Sequence, residues 1–202
     1  MPAQRRSDRR QEIVREFAAL IKEEGLERAS VTRLAARLET STSLIVHYFP
    51  RKEQLVAATV DYVLLRYEEA FEERHPEIVS PLERLTRLLT LLFTEEWQGL
   101  FDSSTYYACL YLTARSEVVR ERWAKMQNRF VGVASRTLED CVAAGAIPPC
   151  DTEAVADYIV CLDSGIGDFM LAFPGDERHV RLRSLALGML AGELGIELAE
   201  RR

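Results

Sequence analysis

Apolar residues recur at spacings of three and four along almost the whole 202-residue chain, and no stretch sustains the period-two alternation of a half-buried strand. That pattern points to an all-α fold. The first helix is expected over about Asp8 to Glu24, with Ile13, Val14, Phe17, Ala18, Leu20 and Ile21 on one face. Gly25 supplies a left-handed stop, and Leu26 can fold back on the last turn. Ser30 then caps a short helix from Val31 to Leu38, and Ser41 caps another that ends at Phe49-Pro50. A long helix restarts near Pro50, because proline is favoured in a first turn and disfavoured inside a helix. It carries Leu55, Val56, Ala58, Val60, Val63, Leu64 and Tyr67 inward; His75-Pro76 closes it, and Ser80-Pro81 opens the next. Five more helices are expected at about 81–96, 98–114, 117–145, 152–172 and 177–200. Their breaks fall at Gly99, Arg115-Ser116, Gly145 to Pro149 and Phe173-Pro174-Gly175, which makes about nine helices in all.

Two short helices separated by about three residues form a helix-turn-helix. Its geometry needs a small residue where the helices touch, and Ala35 supplies it. Four positions later it needs a left-handed residue; Glu39 stands there, at a strain of about 1 kcal/mol, where glycine would be easiest. It also needs an apolar residue to dock the second helix, and Ile45 lies at the right distance. The net charge of −6 argues at first against a nucleic-acid partner, but its distribution argues for one. Residues 1–55 hold 11 Lys/Arg against 8 Asp/Glu, whereas residues 56–202 hold 15 against 24. A basic end on a larger acidic body suits a DNA-reading domain, 1–55, joined to a body, 56–202, that does not touch DNA.

Ser30-Val31-Thr32-Arg33-Leu34-Ala35, followed by Leu38-Glu39-Thr40-Ser41-Thr42-Ser43-Leu44-Ile45-Val46-His47-Tyr48-Phe49-Pro50-Arg51-Lys52-Glu53-Gln54-Leu55, resembles the DNA-binding signature of TetR-family regulators. The His47-Tyr48-Phe49 triplet is most similar to the branch that contains the choline-responsive repressor BetI, as is Leu162-Asp163-Ser164-Gly165-Ile166 in the eighth helix. The close match covers about residues 10–60. The resemblance implies that Ser41, Thr42, Ser43, Leu44 and His47 lie on a recognition helix in the major groove. It implies phosphate-backbone contacts from Tyr48 and Lys52 and flanking-strand contacts from Thr32 and Arg33. Arg5, Arg6, Arg9 and Arg10, just before the motif, would reach phosphate or the minor groove; by themselves they are a solvated tail. The alternative for Tyr48 is core packing. Two positions depart from the family pattern. Val46 replaces a frequent tyrosine and loses one backbone contact, and Glu39 puts a carboxylate near the DNA face.

The terminal helix carries two apolar stripes. Leu182, Leu185, Met189, Gly192, Ile196 and Ala199 form one, and Leu187, Leu190, Leu194 and Leu198 the other. One stripe is expected to face its own body and the other a second copy, making a homodimer. Gly188 and Gly192, with Gly165 and Gly167 on the eighth helix, would allow close helix approach; the resemblance implies the same pairing of helices eight and nine. Two-fold symmetry then implies a near-palindromic operator. Trp97, Phe101, Tyr106, Tyr107, Tyr111, Trp123, Met126, Phe130, Phe169 and Met170 gather in the middle helices near Asp102 and Asp163. They form either plain core or a cavity for a small-molecule effector. Aromatic walls with a carboxylate would suit a cationic or amine ligand, although Asp163 could equally cap a helix or pair with an arginine.

Cys109, Cys141, Cys150 and Cys161 contain no C-x-x-C pair and lie near none of His47, His75 and His179, so neither a metal nor another cofactor is expected. The thiols are expected to be free, with a redox switch as the alternative. No run of about 18 apolar residues exists, and no apolar region follows the N-terminal charges, so neither a membrane span nor a signal peptide is expected and the cytoplasm is the expected place. Asp163-Ser164-Gly165 echoes a hydrolase nucleophile motif but sits within a helix with no histidine placed to serve it, so an enzyme is not expected. The expected function is a ligand-responsive, sequence-specific DNA-binding transcriptional regulator. It would act as a repressor, released from double-stranded operator DNA by a small-molecule effector. The alternative is a dimeric ligand-binding module whose DNA-reading head has degenerated.

Overall fold

The computed structural model describes residues 2–72, 80–94, 97, 103–173 and 177–197. Among them nine helices are bounded and no strand occurs. They are α1 (Pro2–Glu24), α2 (Val31–Arg37), α3 (Thr42–Tyr48), α4 (Lys52–Glu72), α5 (Pro81–Leu92), α6 (Ser103–Thr113), α7 (Glu117–Ala143), α8 (Thr152–Leu171) and α9 (Arg178–Leu194).

Helix starts follow local hydrogen-bond chemistry. Ser30 Oγ accepts the N–H of Arg33 at 3.3 Å, and Ser41 Oγ that of Leu44 at 3.3 Å. Ser80 caps α5 through the N–H of Glu83, with Pro81 in the first turn, and Asp151 caps α8 through the N–H of Ala154. Each cap satisfies a donor the helix cannot satisfy itself and contributes about 1 kcal/mol. Gly25, at φ +80°, ends α1 as expected and donates to the carbonyl of Ile21 at 2.8 Å.

Two starts differ from expectation. α1 begins at Pro2, six residues before Asp8. Proline suits a first turn, and the arginines and glutamine that follow are good helix formers, so nothing delays the helix. The arginines at 5, 6, 9 and 10 therefore ride on a helix and do not form a loose tail. α4 begins at Lys52, two residues after Pro50. There the N–H of Arg51 donates to Gln54 Oε1 and the N–H of Gln54 to the Arg51 carbonyl, a reciprocal cap that sets the start.

The chain packs as two compact units, Met1–Ala70 with Leu100–Met126, and Phe71–Gly99 with Gln127–Arg202. In the first, Ile13, Phe17 and Ile21 line one face of α1 and are fully buried, as are Leu34, Ile45, Leu55 and Val60. α1 packs against both α2 and α6, and Thr105 Oγ1 donates to the Ala18 carbonyl at 3.5 Å. The core of the second unit includes Leu85 and Leu89 of α5, Leu138 and Cys141 of α7, Ile159 of α8, and Leu190 and Leu194 of α9. Ile196, expected on the stripe facing a partner, is buried within its own chain. Gly195 turns left-handed at φ +63°, and the N–H of Ile196 returns to the carbonyl of Ala191, which carries the side chain inward.

The α2–α3 turn is closed by Glu39 at φ +50°, the one non-glycine residue with positive φ among those described. The N–H of Thr40 reaches the Ala35 carbonyl at 2.9 Å across it. Glu39→Gly relieves the strain but frees the unfolded chain, and is expected to leave stability unchanged or raise it by up to about 0.5 kcal/mol net in urea unfolding. A clearly lower midpoint would mean that the glutamate side chain holds the turn.

Candidate nucleic-acid interface

α3 divides its residues cleanly. Ile45 and Phe49 are buried on one side, while Ser41, Thr42, Ser43, Val46 and His47 are exposed on the other and Leu44 and Tyr48 lie half-buried between. Ser41 Oγ is committed to its cap and lies 2.8 Å from Ser43 Oγ. The exposed hydroxyls and imidazole can donate to or accept from a base edge or phosphate. The His47 ring meets Tyr48 edge-on at 5.5 Å.

α2 is clamped to α1 by two arginines one turn apart. Arg33 Nη2 donates to Glu24 Oε1 at 2.7 Å, and its Nε stands 2.6 Å from Oε2 as an ion pair. Arg37 grips Glu23 through both Nη atoms, at 2.6 and 2.9 Å, and reaches Glu16 through Nε at 2.9 Å. Hydrogen bonding to Arg37 holds both the Glu16 and Glu23 carboxyls below the usual glutamate range, against an opposing push from desolvation, and raises the guanidinium in return. Sequence reasoning missed Arg37 and its partners. The only signal was the four-residue spacing of Arg33 and Arg37, which does not say what the pair faces.

The other expected DNA contacts are placed as follows. Arg5, Arg6 and Thr32 are exposed. Arg9 pairs with Glu12 at 2.7 Å, and the Arg10 guanidinium lies over the Phe49 ring at 4.7 Å, joining α1 to the end of α3. Lys52 Nζ donates to the Leu26 carbonyl at 3.1 Å, and partial burial lowers its pKa against a smaller opposing effect of Glu53. Arg33 and Lys52 thus already hold the head together. Two adjoining clefts, of about 290 and 440 Å³, share Arg10, Ala58 and Asp61.

Residues 13–59 match the family described as bacterial regulatory proteins, tetR family, and residues 80–181 match the tetracyclin repressor-like C-terminal domain. The chain belongs to the TetR family. It is 31% identical over 163 residues to the HTH-type transcriptional regulator BetI of Serratia proteamaculans (strain 568), covering 78% of each chain. It is 24% identical to the HTH-type transcriptional regulator HbdR of Aromatoleum sp. (strain CIB), over 76% of this chain and 64% of that protein. The match to BetI of Yersinia pestis (strain Pestoides F) spans only 46% of that relative. A TetR transcription regulator from Haloarcula marismortui ATCC 43049 superposes with a TM-score of 0.81 at 20% identity, covering 93% of this chain and 98% of that one. A transcriptional regulator from Saccharomonospora viridis in complex with choline gives 0.73 at 21% identity, covering 96% of this chain and all of that one. These relatives are transcription regulators.

In this TetR-family regulator the expected effector-binding residues do not all lie inside. Trp97, Trp123 and Met126 are buried, and Tyr106, Tyr107, Phe130, Asp163 and Met170 are half-buried. Tyr111 and Phe169 are 55% and 45% exposed, so neither lines an enclosed cavity in its own unit; each lies on the outer side of its helix. Phe101 and Asp102 lie outside the described residues. Within the first unit Tyr106 packs edge-on against Trp123 at 4.9 Å and Tyr107 at 5.1 Å. Within the second, Trp97 meets Phe130 at 6.2 Å.

α9 presents Leu185 and Met189, at 60% and 57% exposure, beside the exposed Gly188 and Gly192, while Ala186, Leu190 and Leu194 are buried behind them. On α8, Gly165 is exposed and Gly167 half-buried; a Cβ at Gly165, Gly188 or Gly192 would meet nothing within 4 Å. All four cysteines are free; Cys109 and Cys141 are buried, and burial pushes the Cys109 thiol up to about 12. Among the described residues no cluster could hold a metal ion, and no helix is long and apolar enough to cross a membrane.

The arginine clamp has a defined pH signature. Glu16 and Glu23, the partners of Arg37, have lowered pKa values in the fold, so their contribution is present above the unfolded value of 4.5 and is lost as pH falls through the folded values. Arg37→Ala is therefore expected to lower Tm at pH 7, with the difference from wild type fading as pH drops below about 4. A deficit that stayed constant down to pH 3 would show that Arg37 acts through packing and not through charge.

Proposed function

We propose that the protein is a homodimeric repressor that reads a near-palindromic operator with α3 and releases it when a small molecule binds the body. The observation that carries this reading is the division of α3. Ile45 and Phe49 anchor the helix, and Thr42, Ser43, Val46 and His47 are left outward with no role in the core. Residues 1–55 act as the reading head and 56–202 as the effector and dimerisation body. Phosphate contacts come from Arg5, Arg6 and the α4 start at Lys52, with Arg33 and Tyr48 flanking, in the cytoplasm where the DNA is.

The exposed stripes support dimerisation. Leu185 and Met189 beside three uncrowded glycines make an apolar strip against which a second copy's helices can approach closely. Phe169, exposed on the same side of α8 as Gly165, extends this strip. The effector cavity is drawn from the aromatics of the first unit around Tyr106, Tyr107, Trp123 and Met126. Such walls favour a cation, and the choline bound by the Saccharomonospora viridis regulator belongs to that class. Effector binding that alters the separation of the two heads needs a coupling of only about 1–3 kcal/mol to weaken DNA binding roughly 5–150-fold.

Selection from a randomised duplex pool tests the reading. A two-fold consensus is expected, with affinity that falls steeply between two salt concentrations, and Thr42→Ala should weaken binding about tenfold or more. A folded dimer that enriches no duplex would leave a ligand-binding module with a degenerate head. Met189→Glu places a charge in the dimer strip and should give a monomer in sedimentation; a dimer of unchanged stability would place the interface elsewhere.

A further inference from the structure

The geometry points to Val46 as the side chain by which α3 recognises a thymine, through the 5-methyl group that this base presents in the major groove. The inference rests on the DNA-reading role proposed above and adds which base is read and how.

Val46 is 45% exposed although it is apolar, and the helix does not need it. Ile45 and Phe49 make the core contacts of α3, at 0% and 3% exposure. A β-branched residue is also a weaker helix former than alanine, so neither packing nor propensity accounts for valine at this position. Val46 follows Thr42 by four residues and Ser43 by three, and therefore lies on the same outward side, next to His47. Its neighbours carry hydroxyl and imidazole groups that can meet phosphates and polar base atoms. An isopropyl group can do neither. The one apolar group that base pairs offer in the major groove is the thymine methyl. The Val46 side chain is too short to span to a distant step, so the contact falls on a base next to those met by Thr42 and Ser43. Loss of tyrosine's hydroxyl at this position thus exchanges a phosphate contact, which carries no sequence information, for a contact that does.

The effect should match the burial of about one methyl group, roughly fourfold in affinity per half-site. The test uses the full-length protein and the operator obtained by selection. Each thymine of one half-site is replaced in turn by uracil, which keeps every hydrogen-bonding atom and removes only the methyl. Kd is measured for the wild type and for Val46→Ala, after circular dichroism has shown that both are folded. At one position the uracil operator should bind the wild type about fourfold more weakly. Val46→Ala, which removes the contact in both half-sites, should bind the thymine operator about sixteenfold more weakly and should be indifferent to uracil at that position. The inference is overturned if Val46→Ala loses no affinity, if it remains as sensitive to every thymine methyl as the wild type, or if the selected half-site contains no thymine. Failure of the wild type to bind any duplex would instead remove the DNA-reading role itself.

Discussion

A seven-residue helix does not hold itself together in water, because nucleation costs more than so few hydrogen bonds return. The outward chemistry of α3 therefore depends on what is buried beneath it. Ile45 is wholly buried against a head whose core comes from Ile13, Phe17 and Ile21 on α1 and Leu34 on α2. Phe49 is buried at the C-terminal end and covered by the Arg10 guanidinium. With that side anchored, the residues on the opposite side must face solvent, and the burial of Ile45 and Phe49 sets their orientation.

The same head spends much of its positive charge on itself. Arg9 pairs with Glu12, Arg33 with Glu24, and Arg37 with Glu16 and Glu23. Exposed pairs of this kind contribute little one at a time, but forked geometry across two helices fixes their relative position. The excess of basic residues in positions 1–55 is thus an imperfect measure of attraction to DNA, since some of those charges are already paired within α1 or between α1 and α2. Lys52 is likewise engaged in the unbound protein, tied to the Leu26 carbonyl where α1 gives way to the turn.

The second unit shows how one helix can serve two surfaces. Ala186, Leu190 and Leu194 seat α9 in its own core, while Leu185 and Met189 stand out beside uncrowded glycines. Glycine in a helix interior costs about 1 kcal/mol relative to alanine. Open space around Gly188 and Gly192 means that nothing among the described residues demands that cost, which fits a surface shaped for another helix.

The sequence by itself determined what depends on near neighbours. Ser30, Ser41 and Ser80 could be read as caps because the hydroxyl and the N–H it accepts lie three residues apart. Gly25 and the strained Glu39 were legible because helix ends and tight turns demand particular backbone angles, and the family was legible in the run from Ser30 to Leu55. Only the tertiary structure decided the contacts that join distant positions. The Arg37 clamp spans 14 and 21 residues and the Lys52 contact 26, beyond anything a local pattern encodes. The rotation of a helix about its axis is likewise set by its neighbours. That is why Tyr111 and Phe169 lie exposed where an aromatic count placed them inside, and why Ile196, past the left-handed Gly195, turns into its own core and leaves the exposed strip to Leu185 and Met189.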